Sequence, residues 1–203
     1  ALQQLGVQAA VGTDAVAATS SLRRRWQDGR ILGRYGLGPA IGSSAGAPYW
    51  HAHRADLHAA LLSAATAEEG AGQPVRIRLG HRVVEHGQSG ERPWVATEDG
   101  VHDADVVIAA DGIHSRLREV VAGPDEATFS GDVAYRAVIP RAELTDPSLQ
   151  ELVAETELNI WLGPHSHVVH YYVRRATLLN VVVIVPGESD TPESWSSLGD
   201  KAL

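Results

Sequence analysis

The segment of this chain best suited to chemistry is DVVIAADGIHSRLRE, residues 105–119. An apolar run, Val106 to Ala110, ends in Asp111-Gly112, with Ser115 and Arg118 following. In open α/β sheets ligands sit beyond the carboxyl ends of the strands. A carboxylate placed there accepts hydrogen bonds from ligand hydroxyls, and a glycine beside it lets the backbone approach closely. Ser115 can cap a helix, and a helix's amino end favours anionic groups. The alternative is a plain Asp-Gly bend with a serine cap and no ligand. Asp28-Gly29 and Asp99-Gly100 read as ordinary hairpin turns, whereas Asp111-Gly112 follows a run read as buried on both faces and precedes a helix. Arg54 is the second candidate. It opens the stretch RADLHAALLSAA, where a planar guanidinium in a first helical turn can grip oxygens in pairs. A solvated helix-start arginine is the competing reading.

These residues need elements to carry them. The Ala-rich start reads as helix then loop, and LRRRWQ-DG-RILGRY as two strands about a tight turn. Gly36 to Pro48 reads as loop. In the helix from Arg54, Leu57, Leu61 and Ala64 share a face, which predicts an amphipathic helix closed by Gly70. VRIRL, RVVEH and PWVATE are short β-like pieces, DVVIAA a doubly buried strand, and SRLREVV a short helix. From about Ser130 the texture changes to DVAYRAVIP, ELNIWLG, HVVHYYVRR and TLLNVVVIVP. These β-branched and aromatic stretches predict a mostly antiparallel sheet.

Composition narrows the field. The 203 residues carry 25 acidic and 17 basic side chains, a formal charge of -8. That balance argues against a nucleic-acid partner, whose phosphates reward a basic face. No apolar run approaches the ~18 residues of a membrane span. With no cysteine there is neither a disulfide framework nor a thiolate metal site, and a cytoplasmic setting is the default. The absence of methionine points to a piece of a longer protein.

The segment 105–119 resembles the Asp-Gly motif of the single-component, FAD-dependent aromatic-ring monooxygenases, close to the salicylate-hydroxylase type. The pattern is carried by Asp105, Ala110, Asp111, Gly112, Ser115 and Arg118. GAPYWHAHRADLHAALLSAA resembles the segment in which an arginine opens a helix and contacts FAD, which assigns Arg54. LGHRVVEH resembles the strand beside the adenine, which makes Val83 a contact, although a plain core valine is an equal reading. AYRAVIP and WLGPHSHVVHYYVRRATLLNVVVIVP resemble the opening strands of the substrate domain. The similarity runs from about Leu22 to Pro186. It implies an α/β fold: a partial FAD-binding Rossmann-like domain over 1–126, its first βαβ unit missing, and part of a mostly antiparallel substrate-binding sheet over 127–203. Asp111, Gly112, Arg54 and Val83 are then the cofactor contacts.

The resemblance also implies a reaction. NAD(P)H reduces FAD, O2 adds to give a flavin hydroperoxide, and its distal oxygen attacks a small aromatic, phenolic or hydroxybenzoate-like substrate. The cofactor carries the hard chemistry while the protein positions the ring and excludes water. Drawing off a phenolic proton would speed the attack. In HSHVVHYYVR alternation puts His165, His167, Val169, Tyr171 and Val173 on one face, and Val168, His170 and Tyr172 on the other. His170 and Tyr172 combine a base and a hydroxyl on one face and are the expected catalytic pair, with Tyr171 the competitor. The family opens with a strand, GxGxxG, a helix and an acidic residue about 20 positions on. Nothing of that kind occurs here: GLGPAIGSS has no apolar strand before it, the wrong glycine spacing, and an interruption at Pro39. Gly199-Asp200 resembles the family's later Gly-Asp motif only by coincidence. The chain by itself is therefore expected to hold FAD poorly.

Three other readings compete. His51-x-His53 with His58, and His165-x-His167 with His170, could bind zinc in a hydrolase, but no carboxylate has a recognisable ligand spacing. The chain could be a non-catalytic remnant kept for interaction. It could also come from a related FAD-dependent epoxidase or reductase.

Overall fold

The computed structural model describes residues 1–38, 42, 46–69, 72–123 and 127–188. Gly70, Pro39 and Gly199-Asp200 lie outside the described residues. The chain forms two compact units, 1–74 with 131–203, and 75–130.

The first unit is built on a six-stranded sheet. Its chain-order elements are α1 (Gln8–Asp14), β1 (Val16–Ala17), β2 (Ser20–Arg25), β3 (Ile31–Gly36), β4 (Trp50–His51) and α2 (Arg54–Thr66). The second unit contributes β5 (Glu85–Ser89), β6 (Arg92–Thr97), β7 (Gly100–Asp103) and α3 (Arg118–Ala122). The chain then returns to the first unit with β8 (Asp132–Pro140), α4 (Pro147–Leu152), β9 (Leu158–Gly163), β10 (Ser166–Val173) and β11 (Leu178–Pro186). The large sheet has the order β3-β2-β9-β10-β11-β8. Every pair is antiparallel except β2 with β9.

The expected antiparallel strands of 132–186 are present. The early hairpin adds to their edge. Asp28-Gly29 makes its turn: Gly29 takes φ 71° and Asp28 Oδ1 accepts the Arg30 N–H at 3.1 Å. Glu157 fastens β2 and β3 to β9 by accepting from Ser20 Oγ at 2.8 Å and from Arg34. One face of the sheet carries the core, where Tyr172 and Leu179 pack with Val16, Leu144 and Val153. Tyr172 and Leu22 are the largest fully buried side chains. α4 covers part of this face; Asp146 caps it by accepting from the N–H groups of Ser148 and Leu149 at 2.8 and 3.2 Å.

The second unit is a β5-β6-β7 meander with an extended tail. Asp99-Gly100 sits at the β6–β7 turn. Gly87 is required by crowding: a Cβ there would come within 2.4 Å of the Trp94 ring.

Two expectations are overturned in detail. VRIRL at 75–79 and the run 106–110 are not strands, and Val106 and Ile108 are 70% and 82% exposed. A strand persists where neighbours take up its N–H and C=O groups, and no described strand pairs with either run. The helix from Arg54 forms as predicted, but no residue of it is buried. It touches α1, and of its Leu57–Leu61–Ala64 stripe Leu57 is half-buried while Leu61 and Ala64 stay exposed. No described helix is long and apolar enough to cross a membrane.

Candidate functional site

Pairing register decides which side chains of the large sheet work together. Tyr171 lies opposite Asn180, which lies opposite Val138; Val169 lies opposite Val182, which lies opposite Arg136. Residues paired across a ladder project from the same face. Here that face borders a cavity of about 670 Å³. Tyr171, Val173, Asn180, Val182, Val138 and Arg136 form its sheet wall, and His53, Arg54 and His58 form its helix wall.

Arg54 reaches this wall because the chain stops being a strand just before it. β4 pairs with β1, His53 is extended at φ -69° and ψ 132°, and α2 starts at Arg54. Arg54, which begins this helix as the sequence predicts, lines the cavity from its first turn. His51 lies between the rings of Tyr49, at 5.5 Å, and Tyr171, at 4.4 Å. Only 6% of it is exposed, and neither ring nitrogen has a hydrogen-bond partner. Burial pushes its pKa down to about 4, so it is neutral at pH 7. The Tyr172 backbone, which opposes that shift, lies outside hydrogen-bonding geometry.

His170 and Tyr172 face the other way. Tyr172 is 1% exposed within the core cluster. Burial raises its hydroxyl pKa, against the Arg141 guanidinium 4.9 Å from the ring centre. His170 is 6% exposed, and its Nε2 accepts the Trp161 indole N–H at 3.0 Å. Burial, with Arg24 nearby, lowers its pKa to about 4. His170 and Tyr172, expected as the site-facing catalytic pair, do not line this cavity: alternation separates the two faces, and hydrophobic burial draws Tyr172 to the core side. The competitor, Tyr171, is the β10 tyrosine that lines the cavity. Arg136 and Asn180 were missed, because their face is defined only by a register that no local sequence signal carries.

In the second unit the Asp111 bend is a closed network. Asp111 accepts from Ser115 Oγ at 2.6 Å and from the Arg116 N–H at 3.0 Å. Ser115 Oγ in turn accepts the N–H of Arg118, the first residue of α3, at 3.0 Å. The Ser115 hydroxyl holds the Asp111 carboxyl below its ordinary range, so the bend is anionic at neutral pH. Gly112 takes φ 81°, and among the described residues, its chain neighbours aside, no atom lies within 4 Å of the Cβ position. Backbone conformation, not crowding by the protein, therefore calls for glycine here. Val83 is 40% exposed and precedes Val84, whose N–H pairs with the Ala96 carbonyl; it is not a core valine. Among the described residues no three His, Cys, Asp or Glu side chains converge as a metal site would need.

These features suit a flavin nucleotide. An ionised carboxylate with lone pairs to spare can take sugar or ribityl hydroxyls, and the open side of Gly112 admits a ligand against the backbone. The cavity offers an aromatic ring and a guanidinium, the partners of a planar, oxygen-bearing heterocycle.

No family model matches the sequence. The chain is 35% identical over 204 residues to the 3-amino-4-hydroxybenzoate 2-monooxygenase PtnB3 of Streptomyces platensis, covering 97% of this chain and 46% of that protein. It is 38% identical over 181 residues to the FAD-dependent monooxygenase atnJ of an Arthrinium species, covering 87% and 40%. Among solved structures, Klebsiella pneumoniae HpxO complexed with FAD and uric acid shares the fold at a TM-score of 0.76 and 21% identity, over 95% of this chain and 46% of that one. The chain thus spans about half the length of the curated relatives it matches. Along nearly its whole length, with the Asp-Gly bend and arginine-led helix both formed, the chain is thus similar to FAD-dependent aromatic-ring monooxygenases.

Proposed function

We propose that the protein containing this chain hydroxylates a small aromatic, phenolic or hydroxybenzoate-like substrate, with FAD as cofactor and NAD(P)H and O2 as cosubstrates. The observation that carries the reading is the 35% identity to a hydroxybenzoate monooxygenase across 97% of the chain. When bound, FAD supplies the electron transfer and oxygen activation.

The chain's own residues hold and orient. Arg54 grips cofactor oxygens from the first turn of α2. Asp111 accepts from cofactor hydroxyls, Gly112 leaves its backbone open to the ligand, and Val83 offers apolar contact. Residues 1–126 serve mainly the cofactor and 127–203 the substrate, a division of roles rather than of packing. Tyr171, with Val173 and Val182, gives the substrate ring an apolar and aromatic wall, and its hydroxyl can accept or donate a proton there. His170 and Tyr172 support that wall from behind. A cytoplasmic setting belongs to the same proposal and rests on the cysteine-free composition.

The test is to express the full-length protein and look for yellow, FAD-bound material. NADH or NADPH oxidation should then rise when members of a hydroxybenzoate panel are added. Protein that stays colourless with added FAD contradicts the proposal.

A further inference from the structure

The turn joining β10 to β11 is strained and grips two helices. Arg174, Arg175 and Ala176 are consecutive non-glycine residues in the left-handed region, at φ 48°, 53° and 58°. Such runs are rare because Cβ crowds the neighbouring carbonyl, and they persist where surrounding contacts over-determine them. Here those contacts are visible. Thr177 Oγ1 donates to the Arg174 carbonyl at 2.5 Å, and the Thr177 N–H to the same oxygen at 3.0 Å. Arg174 forks onto Asp56, with Nε to Oδ2 at 2.9 Å and Nη2 to Oδ1 at 2.5 Å, and Nη2 lies 3.3 Å from His53 Nδ1. Arg175 goes elsewhere: its Nε donates to Asp14 Oδ1 at 2.6 Å and its N–H to the Asp14 carbonyl at 2.9 Å.

The two arms have different consequences. Asp14 ends α1, which does not border the cavity. Asp56 is in the first turn of α2, two residues after Arg54, and His53 is itself part of the cavity wall. Arg174 follows Val173, and Tyr171 is three residues before it on the facing wall. One guanidinium therefore ties the helix wall to the sheet wall. A bidentate pair fixes direction as well as distance, so it sets where the Arg54 turn stands relative to Tyr171. We propose that Arg174 is a positioning residue: its paired bonds to Asp56 hold the first turn of α2 in register with β10, and thereby set the FAD-binding geometry of Arg54. This rests on the proposed function, because it assumes that Arg54 contacts FAD.

The test uses the full-length protein with FAD removed, titrated with FAD while flavin fluorescence and the visible absorption band are followed. Arg174→Ala and Asp56→Asn should each weaken FAD binding at least tenfold and shift the band. Arg174→Lys, which cannot fork, should fall between them and the parent. The charge-swapped pair Arg174→Asp with Asp56→Arg should recover part of the loss. Arg175→Ala, which removes only the side-chain bond to Asp14 and keeps the backbone one, should stay within twofold of the parent. Binding within twofold of the parent in both Arg174→Ala and Asp56→Asn overturns the proposal, as does an equal loss in Arg175→Ala. Should Arg174→Ala fail to fold, Arg174→Lys and Asp56→Asn decide on the same criteria. Hydrogen exchange over residues 54–60 supplies a readout that needs no flavin. It should quicken in Arg174→Lys and Asp56→Asn but not in Arg175→Ala, and unchanged exchange in the first two also overturns the proposal. A parent that takes up no FAD would contradict the proposed function instead, and the exchange experiment would still judge the clamp.

Discussion

Lowering the pH from 7 to 5 should destabilise the first unit steeply, through two buried histidines. His51 and His170 are each 6% exposed, and burial holds both pKa values near 4. An unfolded histidine titrates near 6.5. Between these values the unfolded chain binds protons that the native chain does not, so stability rises with pH across that window. It is fully present above about 6.5 and is lost as pH falls towards 4. From pH 7 to pH 5 the linkage amounts to about 2 kcal/mol per histidine, or roughly 4 kcal/mol for the pair. Asp56, held low by Arg174, stays ionised throughout this range and adds no slope. The perturbation that isolates one contribution is His170→Gln, whose amide oxygen can still accept the Trp161 indole N–H. Urea unfolding followed by tryptophan fluorescence at pH 7, 6 and 5 should show the parent losing about 4 kcal/mol and the variant about 2 kcal/mol. Equal parent stability at pH 5 and 7, or an unchanged slope in His170→Gln, would refute the assignment of these rings as buried and neutral.

Other outcomes follow from the same geometry. In the full-length protein Arg54→Ala and Asp111→Ala should each reduce FAD affinity about tenfold, or about 1.4 kcal/mol, with urea midpoints close to the parent's; parental retention of FAD in both would remove the cofactor assignments. Gly112→Ala places a Cβ at φ 81° and should destabilise the second unit by about 1 kcal/mol, measured by its unfolding midpoint. Tyr172→Ala empties a core position and should cost about 3–5 kcal/mol. Tyr171→Phe, on the cavity face, should leave stability within about 0.5 kcal/mol while lowering substrate-stimulated NAD(P)H oxidation. Reversal of that contrast would place the two tyrosines on the opposite faces.

Much was legible where short-range rules act. Asp28-Gly29 predicted its hairpin because a tight turn needs a residue tolerant of positive φ. Arg54 predicted a helix start; Ser115 was expected to cap the next helix, but Leu117 stands at that cap position, and Ser115 Oγ instead accepts the Arg118 N–H from one turn of loop before it. The strands of 132–186 were readable because β-branched and aromatic runs bounded by Pro and Gly have few other conformations. Val106–Ala110 was misread as a buried strand because apolarity records a preference for burial, while a ladder also needs partners, and none of the described strands supplies one. Leu57, Leu61 and Ala64 went the same way: helical spacing specifies a face without specifying what covers it.

By itself the sequence determined the local chemistry: the Asp28-Gly29 bend, the helix start at Arg54, the strands of 132–186, and the Asp-Gly and arginine motifs that point to FAD. Only the tertiary structure decided which face of β10 is core and which is cavity. Alternation divides His170 and Tyr172 from Tyr171 with certainty but cannot say which set faces inward. That depends on the register of β10 with β9 and β11 and on where Val16, Leu144 and Val153 arrive to bury Tyr172. Those partners come from distant parts of the chain, so no window of sequence contains the answer.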